Sequence, residues 1–123
     1  MVVGDEMVND LGGYIRRARE ELKEGDARFS VRQVAGRLGV QPSYLSRVER
    51  GLEAPSESML RRIAEDLSED VDLLLALGGK ISSDLAEIIR KRPQLFAQLI
   101  RDLKDMPDHG VLRLVREVRD GVW

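Results

Sequence analysis

Cysteine is absent from this 123-residue chain, and histidine occurs once, at position 109. Without cysteine the chain can form neither a disulfide framework nor a thiolate metal site, and one histidine leaves zinc without its usual ligands. We therefore expect no metal ion and no cofactor. The sequence also shows no glycine-rich phosphate loop and no carboxylate pair in an evident cleft, so we do not expect an enzyme.

Aromatic residues are scarce, at 4% of the chain, and the β-branched runs that mark strands are missing. This composition predicts an all-α protein. No apolar run approaches the ~20 residues that cross a bilayer, and no secretory signal is visible at the N-terminus. We accordingly predict a cytoplasmic protein without a membrane partner.

Charge is unevenly distributed along the chain, although the net charge is only −2. Residues 28–52 contain five arginines and one acid, Glu49, which gives this segment a charge of +4. A local basic surface on an acidic body is compatible with docking one face on DNA. The alternative is that these arginines form an ordinary solvated helix face.

Two short helices joined by a tight corner are predicted between Val31 and Gly51. Gly39 lies where a left-handed residue must end the first helix, and Pro42 suits the first turn of the second. The apolar residues recur at helical spacing in both segments; they are Val31, Val34, Ala35, Leu38, Leu45 and Val48. The second helix must then turn most of its polar side chains outward, and hydroxyls beside arginines suit base edges and phosphates.

This stretch resembles the helix-turn-helix of phage-repressor and Cro-like proteins, the XRE family of bacterial regulators. The resemblance covers roughly residues 11–77, and it requires several residue types to fall in register. The matching residues are Ala35, Gly39, Leu45, Val48, the run from Arg47 to Gly51, Pro55, Ser56, Leu60, Ile63, Ala64 and Leu67. It implies a five-helix lambda-repressor-like domain, which we place at residues 8–79.

The resemblance also implies an ion pair between Arg19 of the first helix and Glu49 of the recognition helix. The alternative is two unrelated surface charges. In phage repressors, the residues at the positions that correspond to Pro42, Ser43 and Arg47 read bases. Pro42 departs from the pattern because it offers no donor, and Val31 stands where many relatives have a phosphate-gripping glutamine.

Seven residues are the candidates for DNA contact. We predict that Ser43, Tyr44 and Arg47 read bases, since the first turns of such a helix enter the major groove. Arg47 could bond guanine O6 and N7 together. Tyr44 could instead pack on a helix or on a second copy. The predicted phosphate contacts are Arg32, Gln41, Ser46 and Arg50, with Gln41 at the helix N-terminus.

Helix ends elsewhere in this region are predicted from capping residues. The first helix should begin near Asn9 or Asp10 and end at Lys23, with Leu22 on its apolar stripe and a loop over residues 24–28. Ser30, Ser56 and Asp70 should cap the second, fourth and fifth helices.

The last third, residues 80–123, continues the apolar periodicity and predicts about three more short helices. Ser82 or Ser83 should begin the first, Pro93 the second and Pro107 the third, with Gly121 ending the last. Three such helices bury their stripes poorly alone. We predict that they serve dimerisation or bind a partner, and the alternative is a monomer whose tail enlarges its own core.

Together these features predict a sequence-specific regulator that binds double-stranded DNA, a dimeric repressor reading the major groove with residues 42–50. Two-fold dimers of such proteins read half-sites about 34 Å apart. The alternative is a protein-interaction module, antitoxin-like or an adaptor, that acts through its C-terminal helices.

Overall fold

The computed structural model describes residues 10–123, and this range contains eight α-helices, one short 3₁₀-helix and no strand. The all-α prediction is confirmed. No helix within this range is long and apolar enough to cross a membrane. The helices are α1 Leu11–Gly25, α2 Val31–Leu38, α3 Pro42–Glu49, α4 Glu57–Leu67, α5 Val71–Leu77, α6 Ser83–Lys91, α7 Pro93–Leu103 and α8 Asp108–Asp120, with the 3₁₀-helix at Ala27–Phe29.

Short polar side chains begin the helices where the sequence predicted. The Ser30 hydroxyl accepts from the backbone N–H of Gln33 at 3.2 Å, and the Ser56 hydroxyl accepts from Met59 at the same distance. Asp70 caps α5. Asp10 caps α1; Asn9 and the predicted domain start at residue 8 lie outside the described residues. Each cap satisfies an N–H that has no partner within its helix.

The segment after α1 differs from the prediction. Gly25 belongs to the last turn of α1, and the expected loop contains the 3₁₀-helix instead. Asp26 explains this, because its carboxylate accepts from the backbone N–H of Arg28 at 2.9 Å and starts the tighter turn. The Arg28 guanidinium also donates to this carboxylate, and these side-chain bonds, followed by the backbone bond, lower the pKa of Asp26 to about 2.

The core lies among α1 to α5, and every one of these helices contributes to it. Among the described residues, thirteen hydrophobic side chains are buried there. Leu22 is exposed, contrary to its predicted place on the apolar stripe, because it lies near the end of α1 beyond the packed part of the helix. The buried set is Ile15, Ala18, Val34, Ala35, Leu38, Leu45, Val48, Leu60, Ile63, Ala64, Leu67, Leu74 and Leu75.

The chain divides into two compact units, one ending at Ser82 and one from Ser83 to Trp123. The first, the N-terminal unit, holds the core just described and ends with a buried Ser82. The second, the C-terminal unit, consists of α6, α7 and α8, and none of its residues is buried. The division lies three residues after the predicted boundary at 79; the roles of the two regions stay predictions.

Candidate nucleic-acid interface

The corner between α2 and α3 places α3 across the surface of the N-terminal unit. Gly39 adopts a left-handed conformation with φ +73°, and the backbone N–H of Val40 donates to Ala35 O at 3.0 Å. This is the pattern that ends a helix and redirects the chain. Gln41 then precedes α3 with no side-chain cap, and Pro42 fills the first position. Leu45 and Val48 face the core, so the opposite face of α3 is turned outward.

A buried ion pair holds α3 against α1. Nε and Nη2 of Arg19 donate to the two carboxylate oxygens of Glu49 at 2.7 and 3.0 Å, and Nη1 donates to Phe29 O at 3.1 Å. The two side chains are only 5% and 6% exposed. The hydrogen bond with Glu49 raises the pKa of Arg19 above the usual value of an arginine. This is the pair that the family resemblance implied, and its bidentate geometry fixes the angle between the two helices.

Gly12 brings α1 and α3 into direct backbone contact. A Cβ atom at this position would lie 2.3 Å from the carbonyl oxygen of Val48 and 2.6 Å from that of Glu49. Only glycine fits here. Sequence patterns did not single out this residue, although two adjacent glycines in the first turn of a helix are costly enough to signal a packing requirement.

Two of the three predicted base-reading residues, Tyr44 and Arg47, lie side by side on α3. The Tyr44 ring is partly buried and packs against the edge of the core, as its alternative packing role expected. The Arg47 guanidinium stands 6.0 Å from the centre of the Tyr44 ring, and Glu53 accepts from Arg47 Nε at 3.3 Å. Partial burial raises the pKa of Tyr44, and the Glu53 carboxylate adds to this effect. Ser43, one helical turn before Arg47, is exposed. Glu53 was not among the sequence candidates, because it follows the helix in what reads as a plain loop.

A cleft beside α3 brings two predicted phosphate contacts together with an arginine from α1. Arg16, Ser46 and Arg50 line this cleft, which has a volume of about 420 Å³. Arg50 Nε donates to Ser46 O at 3.4 Å, and Arg16 has only a loose pair with Glu20 at 3.5 Å. The outward position of Arg16 is therefore part of the candidate interface. Gln41 and Arg32 are exposed but do not line this cleft.

Charge pairing reduces the basic surface that the sequence suggested. Three of the five arginines in residues 28–52 contact carboxylates that lie outside that segment. Of these five arginines, only Arg32 and Arg50 have no carboxylate partner within residues 10–123. The charge of +4 therefore overstates the local positive field. The three pairs are Arg28–Asp26 at 2.6 Å, Arg37–Asp66 at 2.7 Å and Arg47–Glu53 at 3.3 Å.

Comparison with known proteins adds independent findings. A family model described as a helix-turn-helix domain matches residues 10–77, more than half of the chain. Two curated relatives, each named as an uncharacterized HTH-type transcriptional regulator of Mycobacterium tuberculosis, come from strains CDC 1551 and H37Rv. Each is 43% identical over 68 residues, which are 55% of this chain and 45% of the relative. The chain thus spans less than half the length of these relatives. No solved structure matches it significantly.

Proposed function

Because this chain belongs to the helix-turn-helix family of XRE-like regulators, we propose that it is a transcriptional regulator that binds double-stranded DNA. One observation carries the proposal: α3 presents a polar face to solvent while a buried, bidentate Arg19–Glu49 pair holds its opposite side. Such a rigid exposed helix suits insertion into the major groove, which admits an α-helix and displays a distinct pattern for each base pair.

Within this interface, Ser43, Tyr44 and Arg47 read bases from the first two turns of α3. Arg47 has the donor geometry for guanine O6 and N7. The phosphate contacts hold the helix in register on either side of the groove and carry no sequence information themselves. We assign these to Arg32, Gln41, Ser46 and Arg50, and the cleft adds Arg16.

The C-terminal unit supports a dimeric form of this regulator. None of its residues is buried, yet its three helices carry regularly spaced apolar side chains that remain exposed, including Leu95, Leu99, Leu112, Val115 and Val118. A second copy of the chain would cover them. A dimer would then read two half-sites about 34 Å apart. On this proposal the dimer acts as a repressor in the cytoplasm.

The same exposed side chains support a second candidate function. A different protein could cover α6 to α8, in which case the chain would act as an antitoxin-like or adaptor protein. Light scattering of the full chain and of a version ending at Ser82 separates these possibilities. A full-length dimer with a monomeric truncation supports the dimeric regulator. A monomer in both cases favours the interaction module.

The DNA proposal is tested with Arg47→Ala and a matched control, Arg32→Ala. Duplexes preferred by the wild-type chain are selected from a random-sequence pool about three helical turns long. Arg47→Ala should lose about 1–3 kcal/mol of discrimination between the selected and random duplexes. Arg32→Ala should weaken binding to both equally and reduce the salt slope by about one. A wild-type chain that selects no sequence would contradict the proposal.

A further inference from the structure

The turn after α3 directs the following residues back toward the outward face of the helix. Gly51 is left-handed, with φ +77°. The backbone N–H of Gly51 donates to Val48 O at 3.1 Å, and that of Leu52 donates to Arg47 O at 2.8 Å. These two bonds close the end of α3 and reverse the chain. Glu53 is therefore held beside Arg47 by backbone geometry, although six positions separate the two residues.

Glu53 contacts Arg47 differently from the way in which Asp66 contacts Arg37 and Glu49 contacts Arg19. Asp66 accepts from both Nε and Nη2 of Arg37, at 2.7 and 3.0 Å, and Glu49 does the same with Arg19. Glu53 accepts from Nε of Arg47 alone. Within the described residues, Nη1 and Nη2 of Arg47 thus have no hydrogen-bond acceptor.

The free end of this guanidinium matches what base reading requires. Bidentate recognition of guanine uses two parallel N–H donors, and the terminal nitrogens of an arginine supply such a pair. A carboxylate on Nε can restrain the side chain without occupying these donors. The Tyr44 ring, 6.0 Å from the guanidinium, limits its motion from another direction. Arg47 and Glu53 remain 43% and 38% exposed, so DNA can still reach them.

We propose that Glu53 is a positioning residue for specificity: it holds Arg47 by Nε so that the two terminal nitrogens address one guanine. The inference rests on the proposed function, since it requires that α3 reads DNA. It also predicts a cost in overall affinity, because the partly exposed Glu53 carboxylate puts a negative charge beside the helix that would enter the groove. Glu53 thereby favours discrimination between sequences over binding to any sequence.

The experiment measures base discrimination by Glu53→Ala on a duplex selected by the wild-type chain and on its single-base-pair variants. The base pair read by Arg47 is identified as the one whose substitution no longer matters in Arg47→Ala. At that base pair, Glu53→Ala should reduce the affinity ratio between the selected duplex and its variants by up to about fivefold. At the other base pairs this ratio should not change. Binding to random duplexes should strengthen, with a salt slope steeper by up to about one.

Two controls separate positioning from a general effect of charge or stability. Asp66→Asn removes a carboxylate from a different arginine pair, and it should leave the discrimination profile unchanged. Combined with Arg47→Ala, Glu53→Ala should cause no further loss at any base pair, because its effect passes through Arg47.

Three results would overturn the inference alone: no loss of discrimination, an equal loss at every base pair, or the same loss in the Arg47→Ala background. A wild-type chain that selects no sequence overturns the proposed function, and the inference with it. The two failures are therefore distinguishable, because the first kind requires a wild-type chain that still prefers a defined duplex.

Discussion

The two units of this chain contain similar helices but differ in what those helices bury. In the N-terminal unit, thirteen hydrophobic residues and an ion pair are removed from solvent. In the C-terminal unit, α6 to α8 are amphipathic too, yet no residue between 83 and 123 is buried. Amphipathic periodicity thus predicts that a helix has a face to cover. It does not say whether the covering surface belongs to the same unit.

The largest expected effect concerns the ion pairs of the two units. Glu49→Gln leaves Arg19 buried without its counter-charge, and we expect it to lower the free energy of unfolding by about 3–5 kcal/mol. Its matched control in the C-terminal unit is Glu87→Gln, which breaks the exposed pair with Arg90. That change should cost less than about 0.5 kcal/mol. Urea unfolding followed by circular dichroism measures both. Equal losses would contradict the distinction between the units.

A pair of leucines tests the apolar side of the comparison. Leu60 is 0% exposed, and Leu60→Ala should lower the free energy of unfolding, measured by urea unfolding, by about 2–5 kcal/mol. The loss comes from lost burial and from the cavity left behind. Leu112 is 60% exposed, and Leu112→Ala should cost less than about 0.5 kcal/mol in dilute solution.

Repeating the measurement at several protein concentrations sharpens this prediction. If a second copy covers α8, the loss caused by Leu112→Ala should grow with concentration, because association stabilises only the folded chain. A large loss that is independent of concentration would instead show that α8 is covered within one chain.

The smallest expected effect concerns how helices end. Ser68 follows α4 in the left-handed region, with φ +56°. Ser68→Gly should raise the free energy of unfolding by about 0.5–1 kcal/mol, since relief of backbone strain exceeds the entropy that glycine loses. Lys104 after α7 is right-handed, with φ −50°. Lys104→Gly should therefore not raise the free energy of unfolding. Thermal unfolding detects both changes, and stabilisation at both positions would show that conformation at the cap is not the cause.

Features set by neighbouring residues could be predicted from the sequence. Pro42, Ser56 and Asp70 place helix starts correctly, because capping depends on atoms within one turn. The corner at Gly39 follows for the same reason. The Arg19–Glu49 pair came from family resemblance, which carries information about packing that periodicity lacks.

Features set by distant residues could not be predicted in this way. Arg37 pairs with Asp66 across 29 positions, and no local pattern marks either residue as the partner of the other. Glu53 reaches Arg47 only because Gly51 turns the chain at φ +77°. Leu22 lies on the apolar stripe of α1, but it is exposed because the last turns of this helix extend beyond the hydrophobic core. Each case depends on where elements meet in three dimensions.

The backbone contact at Gly12 has a consequence for redesign. Since the carbonyl groups of Val48 and Glu49 rest directly on α1, the orientation of α3 depends on its inner side and on Gly12. The residues facing outward, Ser43 and Arg47, take no part in that contact. The inner side of α3 therefore sets the orientation of the helix, and its outward-facing side chains can be exchanged without changing that orientation. New side chains grafted onto that surface would inherit its orientation, so under the proposed function the sequence preference of the chain should change while its domain stays intact.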